Sequence, residues 1–314
     1  MYRLSIFAAG FAGLVVVTGQ AEAADLDPGC IQAVSGFNGK VGGAGGFDEI
    51  EQQVRGPFGG FDDINVNDAR YHGEGSLSFP LGCMFGFQLD GAGGQASGED
   101  FIGVGGHAFT RDPESYLAGI YATYTDHGPN DIWRVGPEVE LYMGNFSIEG
   151  WAGFENSESN GDQVFAHIDL AMYATDNLRV NVGFRRYLDL NLFSAGGEWQ
   201  PEWDGLPVSF YVEGQFGEQD YASVFGGIRF YFGGPDKSLI RRHREDDPAN
   251  KLFNMLAITC ATPSRIIHGG GGIEDDGTSD GPLIVEKKPV DRVNTDGCAS
   301  GSPVVKKEPD VTPE

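Results

Sequence analysis

Between residues 31 and 232 apolar and polar side chains alternate with a period of two rather than 3.6. In NLRVNVGFRRYL, Leu178, Val180, Val182, Phe184 and Leu188 share one face, and Arg179, Asn181, Gly183, Arg185 and Tyr187 share the other. DQVFAHIDLAMYA sets Val164, Ala166, Ile168, Leu170 and Met172 against Phe165, His167, Asp169 and Tyr173, and IWRVGPEVELYM and PVSFYVEGQF repeat the pattern. One face suits hydrocarbon and the other water. The pattern predicts about twelve strands, near 31–43, 70–79, 82–91, 101–111, 115–125, 132–143, 146–156, 163–174, 177–188, 192–199, 207–216 and 221–232, with ten as the alternative count. A strand of about ten residues, tilted, crosses a bilayer.

The connections alternate in length. Phe79-Pro80-Leu81, Arg111 to Glu114, Met143 to Asn145 and Ala174 to Asn177 are short, whereas 91–100, 126–131, 156–162 and an acidic stretch at 44–69 are longer. Strands facing lipid must pair every backbone N–H and C=O, which forces closure. The expected fold is therefore all-β: a closed antiparallel up-and-down transmembrane β-barrel over residues 24–232. A soluble secreted β-sandwich, with the apolar faces packed on a second sheet and an adhesin-like binding role, produces the same alternation and stands as the alternative.

Both flanks read differently. Arg3, an apolar run from Leu4 to Val17 and Ala21-Glu22-Ala23 make residues 1–23 a secretory signal peptide, placing the mature chain outside the cytoplasm. After Phe232, KSLIRRHREDD and ANKLFNMLAI predict short helices in a periplasmic segment at 233–261. HGGGGIEDDGTSDGP and the near-repeats VEKKPV and VVKKEPDV predict a disordered tail at 262–314, expected in the periplasm as well.

The signal peptide, the dyad-repeat strands, the alternating connections and GIRFYF at 227–232 together resemble Gram-negative outer-membrane β-barrel proteins of the porin-like class. The resemblance is architectural and covers about 31–232. It implies that Gly227, Phe230 and Phe232 form the closing-strand signal read by the barrel-assembly machinery, and that outer-membrane lipid and lipopolysaccharide surround the wall. Phe225 departs from the polar residue usual at its position in that signal.

Charge narrows the function. Residues 24–232 hold 31 acidic and 9 basic side chains within an overall net charge of −25, which repels phosphate backbones and excludes nucleic-acid binding as an expectation. The acidic loops suit loosely bound Ca2+ or Mg2+, with no other cofactor expected. The water-facing set includes Arg134, Glu138, Glu140, Glu149, Glu155, His167, Asp169, Arg179, Arg185, Glu213 and Arg229. These either pair with one another and seal the lumen or form a charge ladder along a narrow channel. In the second case Arg134, Glu138, Glu140, Glu149, Asp169, Arg179, Arg185, Glu213 and Arg229 carry conduction.

Of the four cysteines, Cys30 and Cys83 fall at the bases of the first and third predicted strands and are the favoured disulfide pair. Asp63, Asn65, Asn67 and Glu74 occupy positions 1, 3, 5 and 12 of a calcium loop, but Asp68 replaces the glycine and no helices flank it. Asp62-Asp63 and Asp126-His127 raise an outer-membrane protease as a minor alternative, although neighbouring residues of a strand point apart. The expected function is a porin-like or structural outer-membrane barrel, acting by passive conduction or surface organisation rather than by chemistry.

Overall fold

The computed structural model describes residues 31–55, 61–96, 99–127, 130–158, 161–188, 190–203, 206–218, 221–234 and 236–255, with backbone alone at 50–55, 61–68, 99 and 130. The expected signal peptide and the expected disordered tail lie outside these residues.

Twelve antiparallel strands form one closed barrel. They are β1 (Asn38–Arg55), β2 (Phe61–Leu81), β3 (Phe85–Ala96), β4 (Glu99–Asp112), β5 (Tyr116–His127), β6 (Asn130–Met143), β7 (Phe146–Ser157), β8 (Gly161–Thr175), β9 (Leu178–Tyr187), β10 (Leu190–Trp199), β11 (Val208–Gly217) and β12 (Ala222–Phe232). Each pairs with its sequence neighbours, and β1 pairs with β12 from Gly39 opposite Phe232 to Glu49 opposite Ala222. The barrel thus closes at Phe232, as GIRFYF predicts. Gly227 stands where a side chain would run into Gly43 O and Ala44 of β1, so its missing Cβ lets the closing strands approach.

The alternation has its expected physical meaning. Large apolar residues with no protein partner line the outside, among them Val135, Val139, Leu141, Ile168, Leu170, Val182, Val212, Ile228 and Phe230. A monomeric soluble protein rarely leaves so large a continuous apolar surface exposed. The architecture is that of a transmembrane β-barrel, and one closed wall replaces the two packed sheets of the sandwich alternative.

Three expectations are corrected. The acidic stretch at 44–69 is not a loop: β1 and β2 continue past the ends of β12 and β3. Residues 50–55 pair with 61–66 of β2 alone, as a two-stranded ribbon projecting from the barrel. Leu188 does not face outward, because its φ of +49° breaks the alternation at the end of β9 and turns the side chain into a buried cluster with Tyr187, Leu190 and Tyr221. Most consequentially, the described part of 233–261 is not an appendage below the barrel. Its helical turns, Leu239–Arg241, Arg242–Asp246 and Phe253–Met255, run inside it.

The two ends of the barrel differ. Chain segments 31–37 and 233–238 meet the tight connections Gly82–Met84, Pro113–Ser115, Gly144–Asn145 and Asp176–Asn177 at what we call the turn end. The β1–β2 ribbon projects from the opposite, loop end. At the turn end, Ala33 and Val34 are buried with Phe109, Leu117 and Tyr142. Cys83 is disulfide-bonded, and the Ala33 N–H donates to Cys83 O at 2.9 Å. Cys30 itself falls outside the described residues.

Candidate functional site

The lumen is lined by inward positions of all twelve strands. All nine residues of the anticipated ladder face it, and the structure pairs them rather than leaving them free along a channel. Arg134 Nε donates to Glu155 Oε2 at 2.5 Å. Arg179 grips both oxygens of Glu149 at 2.9 Å, and Arg185 holds Asp169 in a two-point clasp at 2.8 and 3.0 Å. Arg229 bridges Glu74 and Glu198 at 2.8 and 2.7 Å. Glu140 accepts from the Tyr142 hydroxyl at 2.8 Å. Glu213 accepts from Gln215 and Asn254, and Glu138 meets His107 at 2.9 Å and Lys251 at 3.8 Å. Charges removed from water demand such partners, since an unpaired one costs several kcal/mol.

His107 is the centre of a second cluster. One ring nitrogen lies 2.8 Å from Asp90 and the other 2.9 Å from Glu138. Tyr121 stacks on the ring at 3.5 Å and donates its hydroxyl to Asp90 at 2.9 Å. His167 contacts Asp169 at 2.9 Å beside the Arg185 clasp.

What completes the lumen is the segment after β12. At the turn end, Leu239 N–H donates to Asn177 Oδ1 at 3.0 Å and Ile240 N–H to Asp176 O at 3.0 Å. Arg242, buried, donates to Gln200 and stacks over Tyr231. Ser35 donates to Asp246 at 2.5 Å, and Lys237 also reaches both residues. Further in, Asp247 accepts from Ser78 at 2.6 Å, while Pro248 O accepts from Lys40 at 3.0 Å and Gln88 at 3.1 Å.

Beyond Lys251 the contacts turn apolar. Leu252 and Phe253 are buried with Ala92, Ala96, Phe101, Tyr211 and Phe225. The Phe253 ring lies 3.3 Å from His72 and 4.9 Å from Phe225, centroid to centroid. Arg70 lies over both phenylalanine rings, donates to Phe253 O at 3.2 Å and is itself held by Asp48 at 3.0 Å. Asn254 O accepts from Tyr187 and Gln215, and Met255 is buried among Tyr187, Leu188, Leu190, Leu192 and Tyr221.

A polar cavity of about 80 Å³ remains beside Glu149, Arg179, Arg229, His243 and Asn250, room for roughly a few water molecules. Several buried polar atoms of residues around it, among them His167 Nδ1, Arg179 Nε and Asn250 Nδ2, have no protein partner.

The residues expected in the lumen are found there, while Lys40, Asp48, Arg70, Asp90 and Glu198 on the strands and Asp247, Lys251, Leu252, Phe253 and Met255 after β12 were missed. A signal was present. Ala92, Ala96 and Gly103 are small residues at inward positions of a barrel too wide for them to fill, and a Cβ on Gly103 would press on Leu252 at 3.3 Å. Phe225, the residue that departs from the closing-strand pattern, is an inward aromatic on which the segment docks.

The calcium-loop expectation is corrected. Residues 63–74 lie along the paired strand β2 and form no converging loop, and Glu74 turns to Arg229. The side chains of Asp63, Asn65 and Asn67 lie outside the described set. Asp126 points outward, while His127 is buried with its ring bonded to Ala96 O at 3.0 Å, so the two form no couple. Trp151 is buried in the lumen, whereas Trp133, Trp199 and Trp203 face outward.

No protein-family model matches the sequence, and no characterised protein matches it in sequence. Among solved structures, the chain is similar to the KdgM porin in complex with disordered oligogalacturonate, at 9% identity and a TM-score of 0.42, with 61% of this chain and 99% of that one covered. It is also similar to the translocator domain of the autotransporter NalP from Neisseria meningitidis, at 10% identity, a TM-score of 0.43 and coverage of 64% and 89%. An outer-membrane channel from Pseudomonas putida F1 aligns at 8% identity, a TM-score of 0.45 and coverage of 66% and 100%.

Proposed function

We propose that the protein is a porin-like outer-membrane barrel whose basal state is closed by its own chain. In this reading the apolar outer face sits in lipid, with the turn end toward the periplasm. The single observation that carries the closure is the run of residues 239–255 through the lumen, hydrogen-bonded to side chains or backbone on β1, β2, β3, β4, β9 and β11. Such a barrel acts first as a sealed, charge-paired support in the membrane. Passive passage of small solutes follows when the segment leaves the lumen, and the pairs along Arg179, Arg185, Glu149 and Asp169 then line the path and set its selectivity.

Planar-bilayer recording of the full chain tests this. The wild-type protein is expected to be closed most of the time, and Phe253→Ala, which removes the ring docked on His72 and Phe225, is expected to raise the open probability severalfold. Steady wild-type conductance that Phe253→Ala leaves unchanged would place the ion path beside the segment rather than through its seat. Once openings are recorded, Arg179→Glu with Arg185→Glu should reverse the ion preference, and unchanged selectivity would remove both residues from the path.

A further inference from the structure

From the path of residues 237–255 we infer that the chain crosses the lumen completely and that residues 256–314 leave the barrel at its loop end. The barrel thereby carries 59 residues of its own (314 minus 255) to the side opposite Phe232. This rests on the membrane-barrel reading above and adds a second activity to it: display of a chain segment beyond the wall.

The order of contacts along the strands carries the argument. β1 rises from the turn end, and its early residue Lys40 holds Pro248, while its late residue Asp48 orients Arg70 against Phe253. β2 descends, and Ser78, close to its turn end, takes Asp247, whereas Arg70 and His72, eight and six residues nearer the loop end, take Phe253. On β4, Arg111 near the turn end donates to Asp246 O, and Phe101 near the loop end packs on Phe253 at 6.1 Å. On β11, Gln215, near the loop end, takes Asn254. The connection after β8 takes Leu239 at the turn end, and Tyr187 at the far end of β9 takes Asn254. Each of these comparisons gives the same direction, and none shows the segment doubling back.

Met255 completes the crossing. It belongs to a buried cluster whose members Leu188 and Tyr221 lie in the connections that follow β9 and precede β12, at the loop end, and whose members Tyr121 and Trp151 lie midway along β5 and β7. Among the described residues, the ion pairs and residues 239–254 already occupy the lumen, and a cavity of about 80 Å³ lies beside them. A chain continuing from Met255 therefore starts beside the connections from which the β1–β2 ribbon also projects.

Sidedness decides the matter. Three versions of the full chain each carry one epitope tag: after Glu314, between Gly59 and Gly60 of the ribbon connection, or between Gly144 and Asn145 at the turn end. Antibody binding is then compared in intact and permeabilised cells. The tag after Glu314 is expected to behave like the ribbon tag and opposite to the turn tag, whichever face of the membrane that proves to be. A tag after Glu314 that shares its accessibility with the turn tag would overturn the crossing.

The untagged wild-type protein supplies a second measurement. Trypsin added to intact cells should release peptides cut at Arg265, Lys287 and Arg292, and protection of these sites with cleavage appearing after permeabilisation counts against exit at the outer surface. The difference between boiled and unboiled gel mobility reports the membrane barrel separately. Loss of that difference would fail the barrel reading, whereas its presence with a tail on the turn side would fail the crossing alone.

Discussion

The segment inside the barrel is held in two unlike ways at its two ends. From Lys237 to Pro248 it is placed by hydrogen bonds and charge, with Arg242 on Gln200, Asp246 on Ser35 and Asp247 on Ser78. From Leu252 to Met255 it is placed by burial, with Phe253 between Arg70, His72 and Phe225 and Met255 among tyrosines and leucines. The difference has an energetic sense. A hydrogen bond that exchanges for one with water contributes about 0.5–1.5 kcal/mol net and fixes direction, while truncating a buried phenylalanine costs about 3–5 kcal/mol. The turn end therefore sets where the segment enters, and the loop end supplies most of what keeps it there.

The largest effects are accordingly expected at the loop end. Phe253→Ala should weaken docking by about 3–5 kcal/mol. Arg70→Ala should cost a similar amount, because it strands the buried Asp48 carboxylate as well as removing the cation from two rings. The two residues touch, so the double variant should cost less than the sum of the singles. Urea titration of segment release, followed by protease sensitivity near Pro248 in detergent, measures all three. Strict additivity would mean that Arg70 and Phe253 act on different parts of the fold.

A smaller effect is expected at the turn end. Ser78→Ala removes the hydroxyl that donates to Asp247 at 2.6 Å, leaving a buried carboxylate with one donor fewer at about 1–3 kcal/mol. If Ser78→Ala equalled Phe253→Ala in the same titration, the division between a directing end and a holding end would collapse.

That division also explains what the sequence disclosed. Alternation in β6, β8, β9 and β11 reports a wall with one apolar and one polar face. It therefore located strands, closure at Phe232 and the inward charges of β6 to β9, β11 and β12, but not Lys40, Asp48, Arg70, Asp90, Arg111 or Glu198. It could not reveal the occupant, since docking in a lumen imposes no period: residues 239–255 adopt short turns of differing geometry, and Asp246 alone has partners 9 and 211 positions away in the chain. The acidic ribbon was hidden for a related reason. Residues 50–55 and 61–66 pair with each other beyond the barrel rim, so neither face need be apolar, and their polarity reads as loop. The inward turn of Leu188 is lost to pattern reading because one positive φ inverts the face without altering composition.

The smallest expected effect is a dependence on pH, and it again separates the two ends. His243, on the turn-end helical segment and outside the strands, has a ring nitrogen 2.8 Å from the Tyr173 hydroxyl and the other 3.6 Å from Glu198, with Arg179 and Lys40 adding positive charge nearby. Burial lowers its pKa below the ordinary value of 6.5, against the opposing pull of Glu198. A released segment carries an ordinary histidine, so release binds more protons than docking. Docking is thus at full strength above pH 6.5 and is lost progressively as pH falls from there toward the lowered value. Asp247 works the other way, since burial raises its carboxyl and acidification relieves the cost of burying that charge. The two contributions are separated by difference: His243→Gln should remove the acid-induced loss, so that the gap between its open probability and that of the wild type widens from pH 7.5 to pH 5.5. Parallel profiles would show that His243 keeps one protonation state whether the segment is docked or free. The turn end would then direct the chain through fixed charges alone, and Asp247 would be left as the residue through which acid acts on the plug.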